Sequence, residues 1–266
     1  MTRCYLLVLP LVICLCASCQ TPEQRAVSMV LARGGEVKRD ESLPGRPVVA
    51  VDFWSSLTVS DSDLKDLAAL KDIKDLYLSG TEITDKGLGH LTGLRGLREL
   101  WLECTHISDA GLIDLAKEIK GLRTLDLSGT RITGTGLKAI SELKGLSELR
   151  LWGCPLTDAD LMAIKRMTGL ATLLIDATNI TDAGVRELTE MKNLVVLDIS
   201  GAEITDASLK ELQELRGLRV LRVSGTSLTR EGLSAFRRAM PNTSVHYTRP
   251  TNFARRLPPI DWVPPE

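Results

Sequence analysis

Acidic side chains recur at a fixed position along the middle of the chain. Each of these aspartates follows a threonine or a serine; they are Asp85, Asp109, Asp158, Asp182 and Asp206. Carboxylates serve as general acids and bases in hydrolytic enzymes, but that chemistry needs two of them converging on one substrate. Here a hydroxyl and a carboxylate stand where a helix would begin, and where the free backbone N–H groups of its first turn need acceptors. We interpret these aspartates as structural helix caps.

Other residue types that carry chemistry do not form a recognisable site. The histidines His90, His106 and His246 lack the clustered spacing of metal ligands. Gly134-Thr135-Gly136 resembles part of a phosphate-binding loop, but no lysine followed by serine or threonine completes it. No serine stands in the sharp-turn pattern of a nucleophile. The sequence therefore predicts a protein that is not an enzyme and uses neither a metal nor a cofactor.

The amino-terminal segment differs from the rest of the chain. Arg3 precedes an apolar run that ends at Leu15, which is shorter than the roughly 20 residues of a membrane span and is typical of a signal peptide. The stretch Leu15-Cys16-Ala17-Ser18-Cys19 resembles a bacterial lipobox whose leucine stands one place early. That resemblance implies export to the cell envelope and a lipid on Cys19 that anchors the chain to a membrane. Ordinary cleavage and an uncleaved anchor are the alternatives.

The chain repeats itself about every 24 residues. Each repeat is marked by two apolar residues separated by one residue: Val51/Phe53, Leu76/Leu78, Leu100/Leu102, Leu125/Leu127, Leu149/Leu151, Leu173/Ile175, Leu197/Ile199, Leu221/Val223 and Val245/Tyr247. Within one unit, Leu76-Tyr77-Leu78 alternates as a strand does, Ser79-Gly80-Thr81 indicates a turn, and the leucines from Leu88 to Leu97 have helical spacing. One unit buries too little apolar surface to offset the entropy of ordering it, so the units must stack.

The unit has the pattern Leu-x-x-Leu-x-Leu-Ser-Gly-Thr-x-Ile-Thr-Asp-x-Gly-Leu. It resembles the leucine-rich repeat family, in the Ile-Thr-Asp-x-Gly-Leu subtype shared by cysteine-containing repeats and many bacterial exported repeat proteins. The resemblance implies an α/β fold, a right-handed solenoid (horseshoe) with a parallel sheet on the concave face and short helices on the convex face. We predict a signal peptide at 1–19, an amino-terminal helix and strand cap at 20–47, the solenoid at 48–247 and a proline-rich irregular tail at 248–266.

Side chains that flank the two strand leucines should point to the concave side of the sheet, which is called the sheet face below. Three of the four tryptophans fall on it, and Tyr77 should stand beside Trp101 on a neighbouring strand, about 4.8 Å away. Exposed aromatic rings are favoured anchors for a partner. The candidate partner-binding residues are Trp54, Tyr77, Trp101, Trp152, Glu99, Glu103, Asp126 and Arg150.

The sheet face is predicted to be acidic, because eight carboxylates oppose Arg150 and Arg222 there. A nucleic acid would be repelled, so we predict no nucleic-acid partner. The sequence favours a scaffold that binds a protein or peptide in the cell envelope. A cell-wall glycan is the alternative partner, and a purely structural envelope protein is the alternative function. The family adds a remote alternative, the substrate receptor of a ubiquitin ligase, which the signal peptide argues against.

Cys104 and Cys154 are the cysteines that follow Cys19. The repeat register places both in the column of turn residues that contains Gly80 and Gly129. Two repeats separate them, so their Cα atoms should be about 10 Å apart, beyond the roughly 7 Å limit of a disulfide. We predict two free, buried thiols.

Overall fold

The computed structural model describes residues 20–248 apart from residues 55 and 57. The predicted signal peptide, the predicted lipid site at Cys19 and residues 249–266 of the predicted tail lie outside the described residues. Within the described part, no helix is both long enough and apolar enough to cross a membrane.

Ten strands form one sheet, and their order in the sheet is their order in the chain. They are β1 (Glu36–Arg39), β2 (Val48–Asp52), β3 (Asp75–Tyr77), β4 (Glu99–Trp101), β5 (Thr124–Asp126), β6 (Glu148–Arg150), β7 (Thr172–Leu174), β8 (Val196–Asp198), β9 (Val220–Arg222) and β10 (Ser244–His246). Strand β1 runs antiparallel to β2, and each later strand runs parallel to its predecessor.

One short α-helix connects each pair of consecutive parallel strands, and between β8 and β9 a 3-10 helix (Leu212–Glu214) follows it. After α1 (Pro22–Ala32), which precedes the sheet, the connecting α-helices are α2 (Leu64–Leu67), α3 (Asp85–His90), α4 (Asp109–Glu118), α5 (Gly134–Ile140), α6 (Asp158–Ile164), α7 (Asp182–Leu188), α8 (Asp206–Glu211) and α9 (Arg230–Ala239). Each of these helices packs on the helix of the preceding repeat. The structure is therefore an open stack with a sheet on one side and helices on the other.

The repeated leucines form a single core between the sheet and the helices. Leu76 lies opposite Leu100, and Leu100 lies opposite Leu125, so equivalent residues are neighbours on adjacent strands. These side chains are fully buried, as is Ile83 after the strand. The core is continuous from Ala26 in α1 to the carboxyl-terminal repeat. The predicted α/β repeat solenoid is confirmed.

The helix caps are only partly as predicted. The hydroxyls of Thr84 and Ser108 accept hydrogen bonds from backbone N–H groups of their own helices, α3 and α4. The aspartates instead serve the next repeat: Asp85 accepts from the backbone N–H of Ser108 at 2.8 Å and from its hydroxyl at 2.5 Å. The same pair of bonds joins Asp61 to Thr84, Asp109 to Thr133, Asp158 to Thr181, Asp182 to Thr205 and Asp206 to Thr229. These carboxylates are links between repeats.

The glycine of the Thr-Asp-x-Gly motif makes room for that link. A Cβ on Gly111 would collide with the Asp85 carboxylate of the preceding repeat. One junction has the two residues exchanged. Gly134 stands where the aspartate is expected, and Asp160, at the glycine position of the next helix, accepts from both the backbone N–H and the hydroxyl of Thr157 at 2.8 Å. Asp160 also accepts from the backbone N–H of Gly134 at 2.9 Å.

The first end of the stack is covered by α1 and β1. The Arg33 guanidinium lies 2.9 Å from the Asp63 carboxylate, and this contact helps to lower the pKa of Asp63 against the opposing effect of its burial. At the other end of α1, Glu23 forms a salt bridge of 2.9 Å with Arg39, which is paired with Val48 at the start of β2. The first turn of α1 therefore lies at the edge of the sheet where the parallel strands begin.

Candidate functional site

The sheet face is built from the side chains between the buried leucines. In β3 and β4 the central leucine is buried, whereas the residues on both sides of it are half-buried and face outward. In β5 all three residues are buried, because neighbouring side chains cover Thr124 and Asp126. The parallel register then aligns the outward residues into columns, so that residues far apart in sequence become neighbours.

Tyr77 and Trp101 occupy the same column, on neighbouring strands. Their rings are stacked, with centroids 5.7 Å apart and an interplanar angle of 24°. Burial, together with Glu99 beside the ring, raises the pKa of Tyr77, and the hydroxyl lies 3.4 Å from a Glu99 oxygen. The predicted adjacency of the two rings is confirmed.

Arg150 covers the Trp101 ring, which sequence reasoning did not foresee. Its guanidinium carbon lies 4.5 Å from the ring centroid, a cation–π contact, and a salt bridge of 2.7 Å to Glu148 holds it. Strand β5 lies between Trp101 and Arg150 and presents Asp126. This carboxylate is only 3% exposed and accepts a hydrogen bond from the backbone N–H of Ser128. A short side chain on the intervening strand leaves room for the arginine to reach across it. The indole Nε1 of Trp101 is buried and has no hydrogen-bond partner among the described residues.

Trp54 and Trp152 are the most exposed aromatic side chains of the sheet face. Trp54 is 71% exposed in the turn after β2, where its backbone N–H donates to Asp52 at 2.7 Å. Trp152 is 39% exposed after β6. Among the described rings, only Tyr77 and Trp101 stack on each other. Trp54 and Trp152 thus flank the stack without joining it.

Carboxylates surround the aromatic stack. Asp75 lies opposite Glu99 on the next strand, and burial together with that like charge raises the pKa of Asp75. Burial and Asp126 likewise raise the pKa of Glu103. Neither Asp75 nor Glu103 forms a salt bridge with another described residue. The amino-terminal half of the sheet face is therefore acidic, as the sequence predicts.

A second acidic pair lies on the carboxyl-terminal half and was not among the predicted site residues. Burial, with Asp198 nearby, raises the pKa of Asp176 to about 6. Arg222 forms a long contact of 3.8 Å with Asp198. The outward residue before Asp176, Leu174, is apolar and lies opposite Asp198, which is the sequence signal for a poorly solvated carboxylate there.

The two cysteines differ from the prediction, although both are free. Cys104 is exposed and occupies a left-handed turn position with φ of 53°. At the equivalent turn Gly153 takes the positive φ of 65°, so Cys154 falls one place later, in the column of buried threonines. Its Sγ lies 3.1 Å from the Leu127 carbonyl oxygen, and burial raises its pKa to about 11. Only Cys154 is the buried thiol that we predicted.

Among the described residues, no three His, Cys, Asp or Glu side chains lie close enough together to hold a metal ion. The three histidines lie in different repeats, at the end of α3, in the turn after β4 and in β10.

Comparisons with known proteins agree with the repeat architecture. A family model described as leucine rich repeat matches residues 122–141 and 190–212. No curated protein matches the chain.

Solved structures share the fold at low sequence identity. An internalin (inlF) from Listeria monocytogenes is 21% identical with a TM-score of 0.57, over 68% of this chain and 49% of the internalin, so the chain spans about half of that protein. Internalin C2 (inlC2) from the same organism is 18% identical with a TM-score of 0.57, over 84% of this chain and 92% of that internalin. The ectodomain of the Arabidopsis receptor kinase HAESA, solved in complex with an IDA peptide hormone extended at its N-terminus, is 15% identical with a TM-score of 0.59. The match covers 85% of this chain and 41% of that ectodomain.

The stacked register, the matched family model and these neighbours converge on one architecture, and the chain is folded as a leucine-rich-repeat solenoid.

Proposed function

We propose that this solenoid is a binding scaffold, not an enzyme, and that it holds a protein or a peptide on its sheet face. The observation that carries the proposal is the Tyr77–Trp101 stack, flanked by the exposed rings of Trp54 and Trp152. Rigid aromatic surface offers a partner a large contact area at a small entropic cost. The peptide complex of the HAESA ectodomain, which shares the fold, supports the same class of partner.

The remaining candidate residues have supporting roles in this proposal. Arg150 holds the exposed side of Trp101 and, with Glu148, is available to a partner's backbone or side chains. Glu99 and Glu103 would attract basic groups at the edge of the stack. Asp126, which is buried, would position the residues around it rather than touch the partner.

The double variant Tyr77→Ala/Trp101→Ala tests the site. One aromatic anchor contributes roughly 2 kcal/mol or more, and the effects of two stacked anchors do not simply add, so we expect the dissociation constant of the captured partner to rise at least about 30-fold. The partner would be captured from envelope extract, identified by mass spectrometry, purified and titrated against both chains.

A matched control truncates apolar residues elsewhere on the sheet face. Val196→Ala/Val220→Ala alters β8 and β9, far from the stack, and should leave the dissociation constant unchanged. Both variants should unfold cooperatively, with the aromatic variant less stable by about 1–2 kcal/mol because the stack and the cation–π contact are lost. If the aromatic variant bound the partner as tightly as the unaltered chain does, the binding site would not lie on the sheet face.

We further propose that the scaffold works in the cell envelope, after export by a signal peptide, and that a lipid on Cys19 holds it there. The support is the apolar amino-terminal run with its lipobox-like end. The recurring Thr-Asp-x-Gly-Leu motif also favours the subtype found in bacterial exported repeat proteins.

A further inference from the structure

Basic side chains are concentrated where the chain passes from helix to strand in the first repeats. Residues 71–74, 95–98 and 120–123 contain six basic side chains and one acidic side chain, Asp72. The equivalent residues of the next three repeats, 144–147, 168–171 and 192–195, contain two basic side chains and no acidic one, and a basic pair returns only at 216–219, as Arg216 and Arg219. We call the six cations the basic rim: Lys71, Lys74, Arg95, Arg98, Lys120 and Arg123.

Three of these cations stand directly beside one another. The backbone N–H of Arg98 donates to the Lys74 carbonyl at 2.7 Å, and that of Arg123 donates to the Arg98 carbonyl at 2.8 Å. All three side chains are exposed, and none forms a salt bridge or hydrogen bond with another described residue. Lys74 and Arg98 act on Asp75 only through space, by lowering its pKa against the larger effect of burial.

The fold does not require a cation at this position. The same backbone bonds are made by Ser147, Ala171 and Val195 in the following repeats, each at 2.8 Å. Like charges on neighbouring strands destabilise a sheet. Three consecutive cations therefore oppose stability slightly, and an anionic partner outside the chain would remove that repulsion.

The described chain begins at the same edge of the molecule. Lys74 donates its backbone N–H to the Val49 carbonyl at 2.7 Å, beside the start of β2, where Arg39 is paired with Val48. The salt bridge from Arg39 to Glu23 places the first turn of α1 next to the basic rim. Cys19 precedes Gln20, the first described residue, so a lipid there would tether the molecule by its basic edge.

We propose that the basic rim rests on an anionic membrane surface and contacts its phospholipid headgroups. The inference rests on the envelope location proposed above, and it adds the orientation of the solenoid on the membrane. The lipid proposed at Cys19 would hold the chain at the membrane, and a basic patch beside it adds attraction to anionic headgroups, at about 1 kcal/mol for each Lys or Arg near the surface, that would fix the orientation of the solenoid.

Vesicle sedimentation of the full chain tests this contact. The probes are vesicles of phosphatidylcholine mixed with phosphatidylglycerol and, for comparison, vesicles of phosphatidylcholine alone, which report whatever residues 1–19 contribute. Each basic residue near an anionic surface contributes roughly fivefold to partitioning. We expect Lys74→Gln/Arg98→Gln/Arg123→Gln to weaken binding to the anionic vesicles by on the order of 100-fold, and ~1 M salt to weaken the unaltered chain similarly.

The matched control removes the same charge from the helical side. Lys86→Gln/Lys138→Gln/Lys210→Gln changes three exposed lysines in α3, α5 and α8 and should leave vesicle binding within about twofold of the unaltered chain. Equal losses in both triple variants would overturn the proposal, because net charge alone would explain them. Unchanged binding of the rim variant would overturn it too, as would capture on a heparin column without binding to anionic vesicles, which would assign the rim to a soluble polyanion.

The sheet-face variant separates this inference from the proposed function. Tyr77→Ala/Trp101→Ala leaves the basic rim intact and should keep full vesicle binding, whereas the rim variant should keep its affinity for the purified protein or peptide partner. Loss of vesicle binding in the aromatic variant would contradict the assignment of the membrane contact to the rim.

Discussion

Asp160 is the carboxylate acceptor for the capping threonine of its own helix, Thr157. At the other junctions that acceptor is an aspartate of the preceding repeat. At most junctions the carboxylate follows the helix-capping hydroxyl and binds forward, as Asp109 binds Thr133. Gly134 has no such carboxylate, and Asp160 fills the vacant place by accepting three hydrogen bonds. Swapping the aspartate and glycine positions keeps one carboxylate bonded to the capping threonine at this junction. The carboxylate comes from the following repeat instead of the preceding one.

The exchange can be undone one residue at a time. We expect Asp160→Gly to lower the free energy of unfolding by roughly 1–3 kcal/mol, because Thr157 loses its charged acceptor. Gly134→Asp alone should also destabilise, since a Cβ there would collide with the Asp160 carboxylate and two like charges would meet. The double variant restores the arrangement of the other junctions and should be more stable than either single variant. Urea unfolding of the four chains measures the coupling.

Additive losses in that cycle would show that the two residues act independently. A suitable control is Asp114→Gly in α4, an exposed aspartate in an ordinary repeat that makes a bond only to Lys117. It should show no coupling to Gly134→Asp, because the two positions share no hydrogen-bond partner.

Single residues are also where sequence reasoning reached its limit. The repeat register was enough to place Tyr77 beside Trp101, since each outward residue has one neighbour on the next strand. It could not place Arg150 over Trp101, because that contact spans two strands and depends on the short side chain between them. It also could not show that the aspartates bind forward, since one sequence motif fits a local cap and a link between repeats equally well.

At the scale of the elements, the strands β7 and β8 bring two carboxylates together. The pKa of Asp176 is raised to about 6 by burial and by Asp198, with Arg222 partly opposing them. The unfolded chain would titrate near 3.8. Between these values the folded protein binds more protons than the unfolded chain does, so the free energy of unfolding falls as the pH rises through this window and stays lower above it.

Replacing the Asp176 carboxyl with an amide should remove the fall in the free energy of unfolding that its ionisation causes. We expect Asp176→Asn to be more stable than the unaltered chain by about 1–2 kcal/mol at ~pH 7, and to differ little from it at ~pH 4, where Asp176 is protonated in the folded protein. Urea unfolding across this pH range is the measurement. Glu203→Gln, an exposed carboxylate in the next turn, is the control. A variant that is destabilised at ~pH 7 but not at ~pH 4 would show that the Asp176 charge stabilises the fold instead.

At the scale of the whole molecule, the compartment decides which partners the scaffold can meet. If Cys19 is lipidated, the mature chain begins at that residue with an added diacylglycerol. Mass spectrometry of the protein recovered from its cells should then show this modified amino terminus, and Cys19→Ser should leave an unprocessed chain. An amino terminus at Met1 in the unaltered chain would contradict cleavage of the signal peptide, and one beyond Cys19 would contradict the lipid.

The whole fold was more predictable than its parts. A period of 24 or 25 residues repeated along the chain specifies strand, turn and helix many times over, so a local ambiguity is corrected by the neighbouring repeats. The two cysteines departed from prediction at turns: Cys104 is exposed, and Cys154 stands one place after the predicted column because Gly153 takes the left-handed position. The binding surface is less predictable than the fold, because any outward side chain is compatible with the stack.

The exchanged pair also bears on how such an array can change in length. Repeats that differ only in outward residues can be duplicated or deleted as units, since each junction presents the same carboxylate and hydroxyl to the next. The repeats that contain Gly134 and Asp160 are different. A copy of one without the other would leave either two carboxylates facing each other or a threonine with none, so these two repeats would have to be inherited together.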